Sequence, residues 1–180
     1  MEKEKVNVLL VVDMQNDFID GALGSEEAKA IVPGVAERIR SFDGMIILTK
    51  DCHDENYAQT IEGLSCPEHC IAGTPGWDIH PDIDAAHREK LRQGKVRFSV
   101  APKTTPGCTY LDRILESFNI ESFEIVGLCT DVCVISNALI LRSQFPNIPI
   151  IVRSDLCAGS SPERHKAALD IMFSCCIQVL

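Results

Sequence analysis

Residues 123–133 read FEIVGLCTDVC, a stretch in which a short apolar strand turns directly into a helix. Phe123 to Gly127 has the composition of a buried strand, Thr130 is a good N-cap, and Val132 to Arg142 continues with helical periodicity. This places Cys133 at about the third helical position, where free backbone N–H groups and the helix dipole favour a thiolate. The segment therefore predicts a reactive cysteine, although a free cysteine is also often a small buried hydrophobe and the local sequence leaves both interpretations open.

The same alternation of strands and helices extends in both directions from this segment. Strands that are apolar at every residue and alternate with helices predict a parallel sheet covered on both faces. We therefore expect an α/β fold, a three-layer α/β/α domain of Rossmann-like architecture that spans residues 1–180. The predicted strands are Val6–Val12, Met45–Thr49, Lys95–Val100, Phe123–Val126, Ile148–Val152 and Ile177–Leu180, and the predicted helices are Glu26–Phe42, Thr109–Phe118, Val132–Ser143 and Pro162–Phe173.

Composition narrows the classes of function. The chain has 180 residues, 46% of them hydrophobic, which is enough for one core, and its net charge of −9 without a basic cluster argues against nucleic acid or membrane partners. The charged N-terminus leads straight into a strand, and no apolar run reaches the ~18 residues of a membrane span. Nine cysteines without an export signal indicate reduced thiols. The sequence thus predicts a cytoplasmic protein.

Chemically versatile side chains come directly after several predicted strands. Asp13 ends the first strand, Asp51 and His53 follow the second, and Cys133 comes after the strand quoted above. In such sheets ligands bind outside the carboxyl ends of the strands, so these side chains should converge on one crevice. Residues 51–94 are rich in Cys, His, Pro and Gly without clear periodicity, and a loop this long is usually functional. We expect it to lie over the strand ends.

Motifs along nearly the whole chain carry a family resemblance. They are Asp13-x-Gln15-x-Asp17-Phe18, Asp51-x-His53, Pro67-x-His69-Cys70-x-x-Gly73-Thr74, Lys95 before Phe98-Ser99, and Gly127-x-x-Thr130-Asp131-x-Cys133-Val134. In this order they resemble the isochorismatase-like cysteine hydrolases and, among them, the nicotinamidases. The resemblance implies a six-stranded parallel sheet with helices on both sides. It also implies a hydrolase that acts on the carbon–nitrogen bonds of linear amides.

The resemblance implies a catalytic triad of Asp13, Lys95 and Cys133. Asp13 would accept the thiol proton and return it to the leaving ammonia, and the Lys95 ammonium would favour the thiolate. A cis peptide between Leu128 and Cys129 would direct the backbone N–H of Cys129 to join that of Cys133 as oxyanion donors. Taken alone, Lys95 would be a solvated surface charge and Asp13 a turn carboxylate.

The resemblance also implies a divalent metal site. Asp51, His53 and His69 match its ligands, and Glu62 falls where some members supply a further carboxylate. Oxygen and nitrogen ligands with open positions suit Zn²⁺ first, with Fe²⁺ or Mn²⁺ as alternatives. The ion would bind the pyridine nitrogen of nicotinamide.

Other interpretations of these residues stay open. Cys52, Cys66 and Cys70 could form a structural zinc site around His69, although their spacing does not fit paired knuckles. Asp51 and His53 could equally be ordinary polar residues at a strand end.

The substrate pocket departs from the family pattern at one wall. Phe18 matches one aromatic wall, but Cys66 stands where nicotinamidases usually place the opposite aromatic residue. Val100-Ala101 likewise replaces the usual Ala-Phe after the serine. We therefore count Phe18 and Cys66 as substrate contacts and expect a pocket that is wider on one face.

The predicted function is that of a metal-dependent amidase that hydrolyses nicotinamide to nicotinate and ammonia through a Cys133 thioester, in NAD salvage. A related amidase for another small amide or carbamoyl substrate is the alternative, and a non-catalytic metal- or ligand-binding module is the third. The expected partner is a small-molecule amide, and the sequence leaves a homo-oligomer open.

Overall fold

A single parallel sheet of six strands, in the order β3-β2-β1-β4-β5-β6, forms the middle layer of the protein. The computed structural model describes residues 3–94 and 98–180. Helices cover both faces of the sheet, so the predicted three-layer α/β/α fold is confirmed. The strands are β1 (Glu4–Val12), β2 (Met45–Asp51), β3 (Phe98–Lys103), β4 (Phe118–Leu128), β5 (Ile150–Ala158) and β6 (Gln178–Val179).

The helices lie between the strands in the chain, as right-handed crossovers of a parallel sheet require. They are α1 (Asn16–Ile19), α2 (Glu26–Ser41), α3 (Pro81–Arg92), α4 (Leu111–Leu115), α5 (Ile135–Gln144) and α6 (Pro162–Ser174). Ser25 caps α2, because its Oγ accepts a hydrogen bond of 3.0 Å from the backbone N–H of Ala28. Within the described residues, no helix has the length and apolarity that a membrane span requires.

The core has two halves, one on each face of the sheet. Side chains alternate along β1, so Val8, Leu10 and Val12 enter the half beneath α4, α5 and α6, while Leu9 and Val11 enter the half beneath α2 and α3. All five are at most 1% exposed. This double burial is the reason that the strand reads as a continuous apolar run.

The strand order reverses between β1 and β4, and the functional crevice opens at their carboxyl ends. Val12 pairs with Gly127 there. Gly127 has φ of +117°, and a Cβ atom at this position would lie 2.2 Å from the carbonyl oxygen of Val12. Only glycine allows the two strands to approach this closely at the edge of the crevice.

Several elements differ in their bounds from the sequence-based expectation, and two of the differences lie between β2 and the end of β3. The stretch 51–94 contains helix α3, which begins with Pro81 and packs against α2, with Ile83 and Ala86 fully buried. The third strand runs over Phe98–Lys103 instead of the predicted Lys95–Val100. Lys95 lies outside the described residues. The shift brings a different lysine, Lys103, to the carboxyl end of β3.

Candidate active site

Asp13 is fixed directly after β1, at the centre of the crevice. It is fully buried and adopts a φ of +46°, an uncommon backbone conformation for a residue other than glycine. Thr49 at the end of β2 holds it twice. The Thr49 hydroxyl donates to Asp13 Oδ1 (2.6 Å), and the Asp13 backbone N–H donates to Thr49 Oγ1 (3.1 Å). These bonds leave the second carboxylate oxygen, Oδ2, to face the lysine of the site.

That lysine is Lys103, which the sequence motifs did not single out. Its Nζ lies 2.7 Å from Asp13 Oδ2, 3.3 Å from Asp51 Oδ1 and 3.6 Å from Cys133 Sγ. Lys103 is 4% exposed. Burial lowers the pKa of Lys103, but the carboxylates of Asp13 and Asp51 outweigh burial and raise it above its ordinary value. The ammonium therefore stays charged throughout the working pH range.

Cys133 lies within reach of both partners. Its Sγ atom lies 3.6 Å from Lys103 Nζ, and the same ammonium lies 2.7 Å from Asp13 Oδ2. The side chain is 4% exposed. Burial, followed by the negative charge of Asp13, raises the pKa of Cys133 well above its ordinary value despite the opposing effect of Lys103. The sequence favoured a thiolate at this position, whereas the structure favours a neutral thiol until a base removes its proton.

The turn that carries Cys133 is wider than an ordinary first helical turn. Residues Thr130–Val134 form a π-helical turn that leads into α5, and the backbone N–H of Val134 donates to the carbonyl oxygen of Cys129 (3.0 Å). Thr130 is not the N-cap that the sequence indicated; its hydroxyl instead lies 2.8 Å from His165 Nδ1. The Leu128–Cys129 peptide is cis, as the resemblance implied.

Four side chains beside Asp13, Lys103 and Cys133 can hold a metal ion. This metal-ligand group consists of Asp51, His53, Glu62 and His69, and one ligand atom from each lies within 4.8 Å of all the others. Asp51 Oδ2 lies 3.1 Å from His53 Nε2 and 3.4 Å from His69 Nε2. Glu62 carboxylate oxygens lie 3.9 Å and 3.8 Å from the same two nitrogens. The structure thus brings together all four residues that the sequence indicated.

The chemistry of this donor set fits a divalent ion. His69 Nδ1 lies 2.8 Å from the carbonyl oxygen of Pro67, and a proton on Nδ1 leaves Nε2 free as a ligand. Burial lowers the pKa of His69, but Asp51, Pro67 and Glu62 outweigh burial and raise it. Burial raises the pKa of Asp51, but the hydrogen bond with His69 and the charge of Lys103 outweigh burial, so the pKa of Asp51 is lowered. Asp51 is therefore ionised and ready to bind a cation.

Packing and hydrogen bonds hold the ligands in place. The ring of Tyr57 lies 4.5 Å from that of His53, and the ring of Phe18 lies 5.2 Å from that of His69, measured between centroids. The side-chain amide of the buried Gln15 pairs with the backbone of Asp51. Gln15 Nε2 donates to the Asp51 carbonyl oxygen (2.9 Å), and the Asp51 N–H donates to Gln15 Oε1 (2.7 Å). Gln15 thereby ties the end of β2 to the segment after β1.

One cavity of about 360 Å³ gives access to both Cys133 and the metal-ligand group. Phe18 and Cys66, the two expected substrate contacts, both line it. Cys66 is part-buried, with Sγ 4.0 Å from His69 Nδ1. The residues that line the cavity come from the ends of several strands and from the segments that follow them, and they are Phe18, Leu23, Gly24, Ser25, Ala28, Asp51, Glu62, Cys66, His69, Pro106, Leu128, Cys129, Val132, Cys133, Gly159, Ser160 and Arg164.

The thiolate zinc site considered from the sequence is not formed by the described residues. The metal-ligand group contains no cysteine, and Cys70 is fully buried with its backbone N–H donating to Asp17 Oδ2 (2.7 Å). Cys52 and Cys66 are free thiols. Asp51 and His53 are not ordinary strand-end residues either, because both converge on His69 and Glu62.

Sequence relatives agree with this geometry. The model of the Isochorismatase domain matches residues 7–180. The chain belongs to the isochorismatase domain family. A nicotinamidase/pyrazinamidase from Mycobacterium tuberculosis is 29% identical over 195 aligned positions, which cover 97% of this chain and 98% of that protein.

Solved structures of similar proteins superpose over nearly the whole chain. The nicotinamidase/pyrazinamidase of Bacillus subtilis has a TM-score of 0.84 and 25% identity, and 98% of each chain is covered. The pyrazinamidase of Pyrococcus horikoshii in complex with zinc has a TM-score of 0.79 and 29% identity, again with 98% of each chain covered. The family assignment thus agrees with the sheet order and with the cysteine at the strand end.

Proposed function

We propose that this protein is a metal-dependent amidase that hydrolyses nicotinamide to nicotinate and ammonia through a thioester on Cys133. The observation that carries the proposal is the position of the Cys133 thiol beside the Lys103 ammonium, which is paired with the Asp13 carboxylate, next to the metal-ligand group. The similarity to nicotinamidase/pyrazinamidase sequences supports it. By the same reasoning the enzyme would serve NAD salvage.

The acylation step uses Asp13 as the base. The thiol of Cys133 has a raised pKa, so Asp13 removes its proton as the sulfur attacks the carbonyl carbon of the amide. A carbon–sulfur bond forms, the carbon–nitrogen bond breaks, and Asp13 passes the proton to the nitrogen, which leaves as ammonia. A water molecule then hydrolyses the thioester, which releases nicotinate and restores the thiol.

Lys103 performs the electrostatic role in this scheme. We propose that it, and not Lys95, is the lysine of the triad. Its ammonium lies 3.6 Å from the sulfur and stabilises the anion that forms there, while its contact with Asp13 opposes the effect of burial, which raises the pKa of that carboxyl group. The backbone N–H groups of Cys129 and Cys133 are the proposed donors to the oxygen that becomes negative during attack.

Asp51, His53, Glu62 and His69 would hold the metal, and we propose Zn²⁺ as the ion. Two imidazoles and two carboxylates suit it, and the Pyrococcus horikoshii relative was solved in complex with zinc. When bound, the ion supplies a Lewis acid for a ring nitrogen. Residues of this chain position and attack the substrate: Phe18 packs beside the ring, and Cys133 attacks the carbonyl carbon that is held in place.

An ammonia-release assay on the purified, zinc-loaded protein tests the proposal. Nicotinamide and pyrazinamide should release ammonia, and Cys133→Ala should abolish the release. Cys157→Ala is the matched control, because Cys157 is also a buried free thiol but lies in the core away from the cavity.

Two results would overturn the assignment. Ammonia release by Cys133→Ala near the wild-type rate would exclude the nucleophile. No release from nicotinamide by the zinc-loaded wild type would exclude the substrate, and release from other small amides or carbamoyl compounds would then indicate the related amidase.

A further inference from the structure

The cavity extends beyond the space that a simple ring amide would occupy. The metal-ligand group comes after β2, Asp13 after β1, the Cys129–Cys133 turn after β4, and Gly159 after β5. Neighbouring strands lie about 4.8 Å apart, so the step from β2 to β5 spans roughly 14 Å. The nucleophile lies between the two ends. A ring amide bridging the metal-ligand group and Cys133 leaves the part beside β5 unfilled.

That unfilled part, which we call the β5 arm, is lined by Gly159, Ser160 and Arg164. Asp131 fixes its floor: Ser160 donates to Asp131 through its backbone N–H (2.7 Å to Oδ1) and through its hydroxyl (2.6 Å to Oδ2). Arg164 in the first turn of α6 donates from Nη1 to Ser160 Oγ at 3.5 Å. The β5 arm is therefore a preformed polar surface.

The two ends of the cavity carry different charged groups. Asp51 and Glu62 lie at the metal end, whereas the β5 arm holds the guanidinium of Arg164 and, on its floor, the Asp131 carboxylate, both of whose oxygens accept hydrogen bonds from Ser160. Among the described residues, no carboxylate oxygen comes within 4.0 Å of the Arg164 guanidinium. An arginine in the first turn of a helix also opposes the helix dipole, so stability of α6 does not explain it. Its guanidinium is available to a ligand in the cavity.

We propose that the β5 arm binds a carboxylate carried by the substrate, so that the enzyme accepts pyridine carboxamides whose amide nitrogen bears a short carboxylate arm. This inference rests on the proposed function. With the ring directed to the metal-ligand group and the carbonyl oxygen to the N–H groups of Cys129 and Cys133, the amide nitrogen is the remaining substituent of the carbonyl carbon. In this proposal a group on that nitrogen extends towards the free end of the cavity, where Arg164 lies.

The chemistry is the same as for the unsubstituted amide. Cys133 sulfur bonds to the carbonyl carbon, the carbon–nitrogen bond breaks, and Asp13 delivers the thiol proton to the nitrogen. The leaving group is an amino acid instead of ammonia, and water hydrolyses the same nicotinoyl thioester. Arg164 contributes affinity for the carboxylate and takes no part in bond breaking.

Three substrates that yield the same product test this specificity. Nicotinamide, N-ethylnicotinamide and nicotinoylglycine all give nicotinate, which chromatography quantifies. Nicotinoylglycine should exceed the neutral N-ethylnicotinamide in kcat/KM by roughly two- to five-fold, the effect of one exposed charge pair. The difference should lie in KM and should shrink as salt is raised.

Variants at Arg164 separate charge from shape. Arg164→Gln should remove the preference for nicotinoylglycine over N-ethylnicotinamide, and Arg164→Lys should retain part of it. Arg92→Gln is the matched control, because it removes one exposed positive charge at the end of α3, away from the cavity. Any loss of preference in Arg92→Gln would indicate a general effect of net charge and would overturn the role of Arg164.

The outcome distinguishes this inference from the proposed function. If the wild type hydrolyses nicotinamide but shows no preference for nicotinoylglycine, the role of the β5 arm is wrong and the amidase assignment stands. If nicotinamide itself is not hydrolysed, calorimetric binding of nicotinoylglycine and N-ethylnicotinamide to Cys133→Ala decides the matter without turnover. Equal affinity of Cys133→Ala for the two compounds would overturn the inference. Tighter binding of nicotinoylglycine than of N-ethylnicotinamide, lost when Arg164→Gln is added, would support it.

Discussion

Replacement of Lys103 by methionine removes a buried cation that joins the two halves of the site. The ammonium lies between Asp13 Oδ2 (2.7 Å) and Asp51 Oδ1 (3.3 Å), and the side chain is 4% exposed. Methionine has a similar length and no charge. The variant therefore keeps most of the packing and leaves two buried carboxylates without their shared counter-ion.

The size of the effect can be worked out from these distances. At an effective dielectric constant of about 20, the two contacts contribute roughly 6 and 5 kcal/mol of gross attraction. The desolvation of three buried ions offsets most of this gain, and removal of one partner from a buried ion pair typically costs about 3–5 kcal/mol. We expect a loss of that size in the free energy of unfolding at pH 7.

The sign of the pH dependence provides a second readout. Burial raises the pKa of Asp13, and Lys103 is the main group that lowers it, so the pKa of Asp13 rises further in Lys103→Met. The folded variant then holds a proton that the unfolded chain has released, and its stability falls as the pH rises from about 4 towards neutrality. The deficit relative to wild type should be larger at pH 7 than at pH 5.

Urea unfolding at both pH values, combined with ammonia release from nicotinamide at pH 7, measures these effects. Lys103→Met should lose about 10²- to 10³-fold in kcat/KM, comparable to the loss of an electrostatic donor in other active sites. Lys95→Met is the control, because the sequence indicated that lysine instead. If Lys95→Met loses activity while Lys103→Met keeps both activity and stability, the reasoning is refuted.

Three further perturbations test the other parts of the site. Cys133 should react slowly with iodoacetamide at pH 7 and faster only at pH values above about 9, because its pKa is raised. Peptide mass spectrometry can follow its alkylation, with the exposed Cys176 as the reference thiol. An alkylation rate that reaches its plateau below about pH 8 would contradict this expectation. Asp13→Asn should lower ammonia release about 10²- to 10⁴-fold with the bound metal retained, and loss of the metal as well would point to a structural role. His69→Ala should lose the bound metal, as measured by elemental analysis, and should have a higher KM for nicotinamide. Turnover of benzamide, which has no ring nitrogen, should change little. Equal effects on both amides would exclude a role of the metal in binding the ring.

The fold could be predicted because its signal is repeated along the chain. Apolar side chains occupy every position of β1 from Val8 to Val12, and only burial on both faces explains such a strand. Helix α3 was missed because its buried face is small. Ile83, Ala86 and the stem of Lys90 are its only buried positions among residues rich in charge, so the helical period is weak. Pro81 at the first position was the available signal.

The site could be predicted wherever a strand boundary was correct. Asp13, Asp51 and Cys133 stood out because each comes after the end of a predicted strand, and the same criterion would have found Lys103 had the third strand been placed three residues later. The end of β3 is hard to recognise in the sequence because β3 is an edge strand, which needs less burial than a central one. Its residues therefore include Pro102 and polar side chains instead of a continuous apolar run. Thr49 was missed for another reason. A buried hydroxyl on a central strand looks like any β-branched residue until its partner Asp13 is known.

The Asp51 carboxylate explains why the triad and the metal-ligand group can act as one unit. Its Oδ1 atom faces Lys103 at 3.3 Å, and its Oδ2 atom faces His53 and His69 at 3.1 and 3.4 Å. Gln15 fixes the backbone of the same residue from the neighbouring strand. Because one rigid side chain serves both halves, the distance between the ring-binding end and the nucleophile is set by the sheet and not by a mobile loop. A substrate held at the metal end is thereby presented to Cys133 in one orientation, which is the condition that allows a neutral, buried thiol to attack as Asp13 withdraws its proton.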